Sequence, residues 1–75
     1  TLFYMAATLD YWGRGLEAVF CFETYLRLND PDKKRREIAH RRLEYFKSRM
    51  RPRDYSLYRT VDEVIYVILG DEIDR

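Results

Sequence analysis

Hydrophobic residues in this chain recur mostly at helical spacing. Leu2, Met5, Ala6 and Leu9 fall three and four positions apart, giving one apolar stripe on a first helix over about residues 2–12 that ends near Trp12 and Gly13. Gly13 and Gly15 bracket Arg14, and glycines tolerate the positive φ that folds a chain back on itself. From Leu16 to Leu28, the residues Leu16, Ala18, Val19, Phe20, Cys21, Phe22, Tyr25, Leu26 and Leu28 are apolar nearly all round. This predicts a second helix, 16–28, covered on more than one side and central to the fold.

Asn29-Asp30-Pro31-Asp32 reads as a stop and a restart. Asp30 is the expected N-cap, Pro31 the first helical position, and Asp32 a favourable charge near the positive end of the new helix dipole. The third helix, 31–50, places Ile38, Ala39, Leu43, Phe46 and Met50 on its core stripe. Pro52 ends it, because the residue before a proline avoids helical conformations. Residues 51–59 connect. Thr60 with Glu63 has capping-box spacing, opening a fourth segment, 61–69, that Gly70 closes. The run Val64 to Leu69 is rich in β-branched residues, so a strand competes with a helix there. The expected fold is all-α: one domain over 1–75, a small bundle of about four helices.

Size changes the picture by limiting stability. A core in a chain of 75 residues rarely supplies more than about 3–5 kcal/mol, so such domains often draw support from disulfides, metals or a partner. A single cysteine, Cys21, excludes an internal disulfide and points to a reducing compartment, the cytoplasm. No Lys or Arg precedes the apolar stretch Leu2 to Leu9, as a secretory leader would require. No apolar run approaches the roughly 18 residues of a membrane span, so no membrane is expected. Seven Tyr, four Phe and one Trp supply more bulky contact surface than a small core encloses, a hint of a protein partner.

Charge is strongly segregated. Ten of the fourteen Lys and Arg lie between Lys33 and Arg53, opposed there only by Glu37 and Glu44, so this stretch carries +8 while the residues before and after it carry −3 and −4. Three readings of the basic face stand. It is a solvated face answered by the chain's own acidic ends, with Glu37 pairing to Lys33 and Arg41; or it docks an acidic protein surface; or it tracks a phosphate backbone, with His40, Tyr45 and Tyr55 near enough to stack on bases.

Catalysis and metal binding find no support. Cys21 lies between Phe20 and Phe22 with no cation close in sequence to activate it, which predicts a buried, inert thiol. One Cys and one His make no zinc set, and Asp71, Glu72 and Asp74 read as a solvated acidic tail. No Gly-rich phosphate loop or Ser/His pairing occurs. No enzyme activity, metal or cofactor is expected.

Gly13, Glu17-Ala18, Phe22, Leu26, Leu28 and Asp30-Pro31, with Met5 and Ala6 before them, follow the order of the inter-helix turn and second helix of a tetratricopeptide repeat. Over about residues 2–31 the chain resembles that family. It departs where Tyr25 takes a small residue's place and one residue is inserted before Asp30-Pro31, and the later helices do not repeat the pattern. The resemblance implies an antiparallel hairpin of helices one and two, and a groove for a peptide or protein. The chain thus reads as a non-catalytic adaptor or accessory subunit. Its candidate partner-binding residues are Lys34, Arg35, Arg41, Arg42, Arg49, Arg51 and Arg53, with Tyr4, Tyr11, Trp12 and Tyr25 as anchoring aromatics if exposed. Nucleic-acid binding through 33–53 is the alternative, and a self-assembling homo-oligomer is a third class.

Overall fold

The computed structural model describes residues 1–51 and the backbone of 58–73, with side chains to Gly70. It contains four helices, α1 (Leu2–Tyr11), α2 (Gly15–Arg27), α3 (Lys33–Lys47) and α4 (Val61–Ile73), and no strand among the described residues. The fold is an all-α small bundle. The competition over 64–69 is therefore won by the helix, opened by the expected cap: the Glu63 N–H donates to Thr60 Oγ1 at 3.1 Å, and Glu63 Oε2 accepts from the Arg59 N–H at 2.9 Å. The first bond satisfies one of the amide donors that every helix start leaves open, and the second ties the residue before the cap to the first turn.

α1 and α2 pack closely as a helical hairpin, joined by the Gly13–Gly15 turn. Gly13 has φ +80°, its N–H donates to the Asp10 carbonyl at 3.1 Å, and the Arg14 N–H reaches back to the Leu9 carbonyl at 2.9 Å. These two bonds are the Schellman closure, which needs a left-handed residue at this position. Gly15 serves a different purpose. A Cβ there would lie 2.7 Å from the Met50 methyl and 3.2 Å from the Phe46 ring, so its small size lets the end of α3 cover the start of α2.

α2 is the hub, touching each of the other three helices. Ala18, Val19, Cys21 and Phe22 are essentially inaccessible, and Phe20 and Tyr25 are buried. Phe3 of α1 stacks edge-on against Phe22 at 6.3 Å between ring centroids and lies tilted over Tyr25 at 5.3 Å. Phe3 is absent from the stripe the spacing predicts. That stripe, Leu2, Met5, Ala6 and Leu9, splits: Ala6 and Leu9 join Phe3 against α2, while Leu2 and Met5 are only partly buried. The α3 stripe holds, with Ala39, Leu43 and Phe46 buried and Ile38 and Met50 packed at its edges.

Several boundaries differ from expectation for physical reasons. The N-cap of α3 is Asp32, whose side chain accepts from the Arg35 N–H at 3.1 Å, so the helix starts two residues beyond Pro31. Asp30 is diverted: it accepts from the Tyr25 hydroxyl at 2.6 Å and from the Asp32 N–H at 3.1 Å. Asn29 supplies the break after α2 at φ +53°, a conformation Asn adopts more readily than most residues. α3 ends at Lys47, short of Met50, because the Ser48 hydroxyl and the Arg49 guanidinium both donate to the Tyr45 carbonyl and replace backbone donors there. α4 runs through Gly70 to Ile73, so that glycine is interior to the helix and closes nothing. Leu28, expected in the covered set, is the C-cap of α2 and is exposed.

Candidate binding surfaces on α1, α3 and α4

Side chains on α3 reach across to α1. Arg42 donates twice to Asp10, Nε to Oδ2 at 2.6 Å and Nη2 to Oδ1 at 2.8 Å, a bidentate geometry that fixes orientation as well as charge. Two turns earlier, Arg35 Nη2 donates to the Tyr4 hydroxyl at 3.1 Å while its guanidinium lies 5.2 Å above the Tyr4 ring and within 3.9 Å of Asp30 and Asp32. The basic helix is therefore answered partly from within. The acids that answer it are Asp10, Asp30 and Asp32, and among the described residues no ion pair joins it to Asp62 or Glu63. Glu37 meets Lys33 at 3.9 Å but not Arg41.

The remaining candidates divide by place. Lys34 and Arg41 are exposed seven residues apart on α3, and Arg51 is exposed just beyond it. Arg49 is exposed but lies 3.9 Å over the Tyr45 ring, which Arg42 also faces at 4.5 Å. Arg53 falls outside the described residues. Of the aromatics, Tyr4, Tyr11 and Trp12 stand open on α1 and its cap, with Tyr11 89% and Trp12 56% exposed. Tyr25 is no anchor. It is 4% exposed, and burial together with its hydrogen bond to Asp30 pushes its hydroxyl pKa up to about 12. The same bond, followed by the Asp32 N–H, holds the Asp30 carboxyl below its ordinary value.

Sequence reasoning did not find the groove between α1 and α4. It measures about 720 Å³ and is lined along α1 by Met5, Thr8 and Trp12 and along α4 by Val61, Ile65 and Leu69, with no charged side chain among its lining residues. Ile65 and Leu69 are 38% and 52% exposed, so one flank of α4 faces solvent with aliphatic groups. The groove follows from how α4 docks. Only Val64 is fully buried, with Val61, Ile68 and Tyr58 at the margin, so α4 leans on α2 and stands off from α1. Two signals could have found it: Leu2 to Leu9 holds no charge, and neither does Val64 to Gly70.

Inside the hairpin, Glu17 is the one buried carboxylate among the described core residues. Arg14 Nη2 and the Tyr58 hydroxyl each donate to its Oε1 at 3.0 Å, tying the approach to α4 onto α2. Next to it, Cys21 is buried, and burial reinforced by the Glu17 charge pushes its thiol up to about 11. Such a thiol is a poor nucleophile. No group of His, Cys, Asp or Glu among the described residues is arranged to hold a metal ion, and no helix there is long and apolar enough to cross a membrane. No family model, curated protein or solved structure matches the chain.

Proposed function

We propose that this chain is a small non-catalytic protein-binding module, an adaptor or accessory subunit of a larger assembly in the reducing cytoplasm. One observation carries the reading: a charge-free apolar groove along α1 and α4, edged by the exposed Trp12, Ile65 and Leu69. Trp in a pocket rimmed by aliphatic groups is the composition of an interface hot spot. Ala6 and Ala18 are completely buried, and small residues on facing helices let the axes of the hairpin approach. Exposed Lys34, Arg41 and Arg49 add a basic flank that steers an acidic surface of the partner toward α3. The test is co-purification from native lysate of one protein at stoichiometric amount, lost on Trp12→Ala with Leu69→Lys and weakened by Arg41→Ala. A lone monomer, or capture indifferent to the groove variants, contradicts it.

Nucleic-acid binding is the second reading. It draws on Lys34 and Arg41 lying open on one helix, with the exposed Tyr45 four residues beyond Arg41. It is weakened by Arg42, which spends its Nε–H and one Nη2–H in a bidentate pair with Asp10. Binding to random RNA and DNA across a salt series decides it, because phosphate contacts lose affinity steeply as salt rises.

A further inference from the structure

Resting on the binding-module reading, we propose that the groove between α1 and α4 receives an amphipathic α-helix of a partner protein whose solvent face is cationic. The groove has the dimensions for it. At 1.5 Å per residue its walls, the length of α1 and the stretch Val61 to Leu69 of α4, each run roughly 14–15 Å, the length of a helix of about three turns. Its chemistry suits an apolar helix face and not a small polar ligand. The Thr8 hydroxyl donates to the Tyr4 carbonyl of its own helix at 2.8 Å and the Tyr4 hydroxyl meets Arg35, so both are engaged within the chain and the rest of the lining is almost wholly apolar. Small-molecule sites need convergent polar groups to orient the ligand.

Charge selects the partner's outer face. α4 carries Asp62 and Glu63 in its first turn, Asp71 and Glu72 in its last, and no Lys or Arg between. α1 also lacks a cation, and its single acid is held by Arg42. Glu63 is used in the cap, but Asp62 has no ion-pair partner among the described residues. A helix with Lys and Arg along its flank therefore meets opposite charge at the Asp62 end of α4 and no cation along the described wall. A second copy of the chain would not. In a two-fold pair this groove would face another α1 and α4, bringing acid-ended, cation-free helices together.

Two helical peptides of about five turns provide the probe: they share one Leu and Ile face at three- and four-residue spacing, lack Trp, and differ only in a Lys/Arg or a Glu outer face. Trp12, the only tryptophan, reports occupation of the groove through its emission. The cationic peptide is expected to bind about tenfold tighter than the acidic one at low salt, with Trp12 emission moving to the blue. Asp62→Asn brings the ratio toward one, and Leu69→Lys, or Ile65→Lys should the first fail to fold, abolishes binding.

Equal affinity for both peptides overturns the charge selection while leaving the groove as a binding site. Binding that leaves Trp12 unmoved and survives both lysine variants overturns the groove assignment. No binding, with a dimer in sedimentation and a buried Trp12, assigns the groove to a second copy. No binding by a monomer overturns both this inference and the reading on which it rests.

Discussion

The Arg42–Asp10 pair gives the most quantitative prediction, because it is the strongest link by which α1 answers the basic helix. Its two short donor–acceptor distances, 2.6 and 2.8 Å, set it apart from ordinary surface pairs, while a 38% exposed arginine side chain against a 15% exposed aspartate keeps it from being a buried one. Hydrogen bonds to charged groups contribute about 1.5–3 kcal/mol when sheltered, and exposed ion pairs about 0.2–1 kcal/mol. Between these limits the coupling is expected near 1 kcal/mol, a large share of the roughly 3–5 kcal/mol a core of this size supplies. The measurement is a double-mutant cycle with Asp10→Asn, Arg42→Gln and both, by urea unfolding. The cycle cancels the loss of Arg42 from above the Tyr45 and Phe46 rings, which both Arg42 variants share. Each single variant should lower Tm by about 4–8 °C, and the coupling should shrink in 1 M salt. A coupling under about 0.3 kcal/mol would refute the reasoning and leave Arg42 available to a ligand.

Three further predictions use other parts of the molecule. Gly70→Ala should stabilise by up to about 1 kcal/mol, since a Cβ there meets nothing within 4 Å in a helix interior, whereas Gly13→Ala should cost about as much through its φ of +80°; equal effects in thermal unfolding would contradict this. Stability should be level from about pH 5 to 8.5. Above it, the raised thiol and phenol of Cys21 and Tyr25 contribute fully below their ordinary values of 9.0 and 10.0 and are lost as pH climbs through about 11 and 12; below it, the contribution of Asp30, present above 3.8, is lost as pH falls through its lowered folded value. Denaturant midpoints that fall between pH 6 and 8 would count against these assignments, and Tyr25→Phe should remove the most alkaline part of the loss. Cys21 should resist a thiol reagent until the chain unfolds; rapid modification of the native protein would mean that α2 is not covered as described.

The fold was largely legible because its determinants are local. Helical periodicity, the Gly13 turn and the Thr60–Glu63 cap specify their elements from a few neighbouring residues, and α2 announces its central place by being apolar all round. Boundaries failed where a side chain had two uses. Asp30 has cap chemistry, but a tyrosine one turn back claims its carboxylate, and Asp32 takes over. The site was legible only by composition. Spacing places Arg42 on the outer face of α3 but gives no sign that Asp10, 32 residues away, waits for it. Nor does a stripe of apolar residues on α1 reveal that Leu2 and Met5 face a groove while Phe3 takes the core. Such facts depend on how far α4 stands from α1, which no local pattern encodes.

The account stands on the groove and not the basic face being the principal binding surface. Backbone and indole NMR shifts of the whole chain, recorded as the cationic and the acidic helical peptides are each added, test this most directly. The groove account predicts changes centred on Trp12, Met5, Ile65 and Leu69. Changes confined to Lys34, Arg41 and their neighbours on α3 would contradict it.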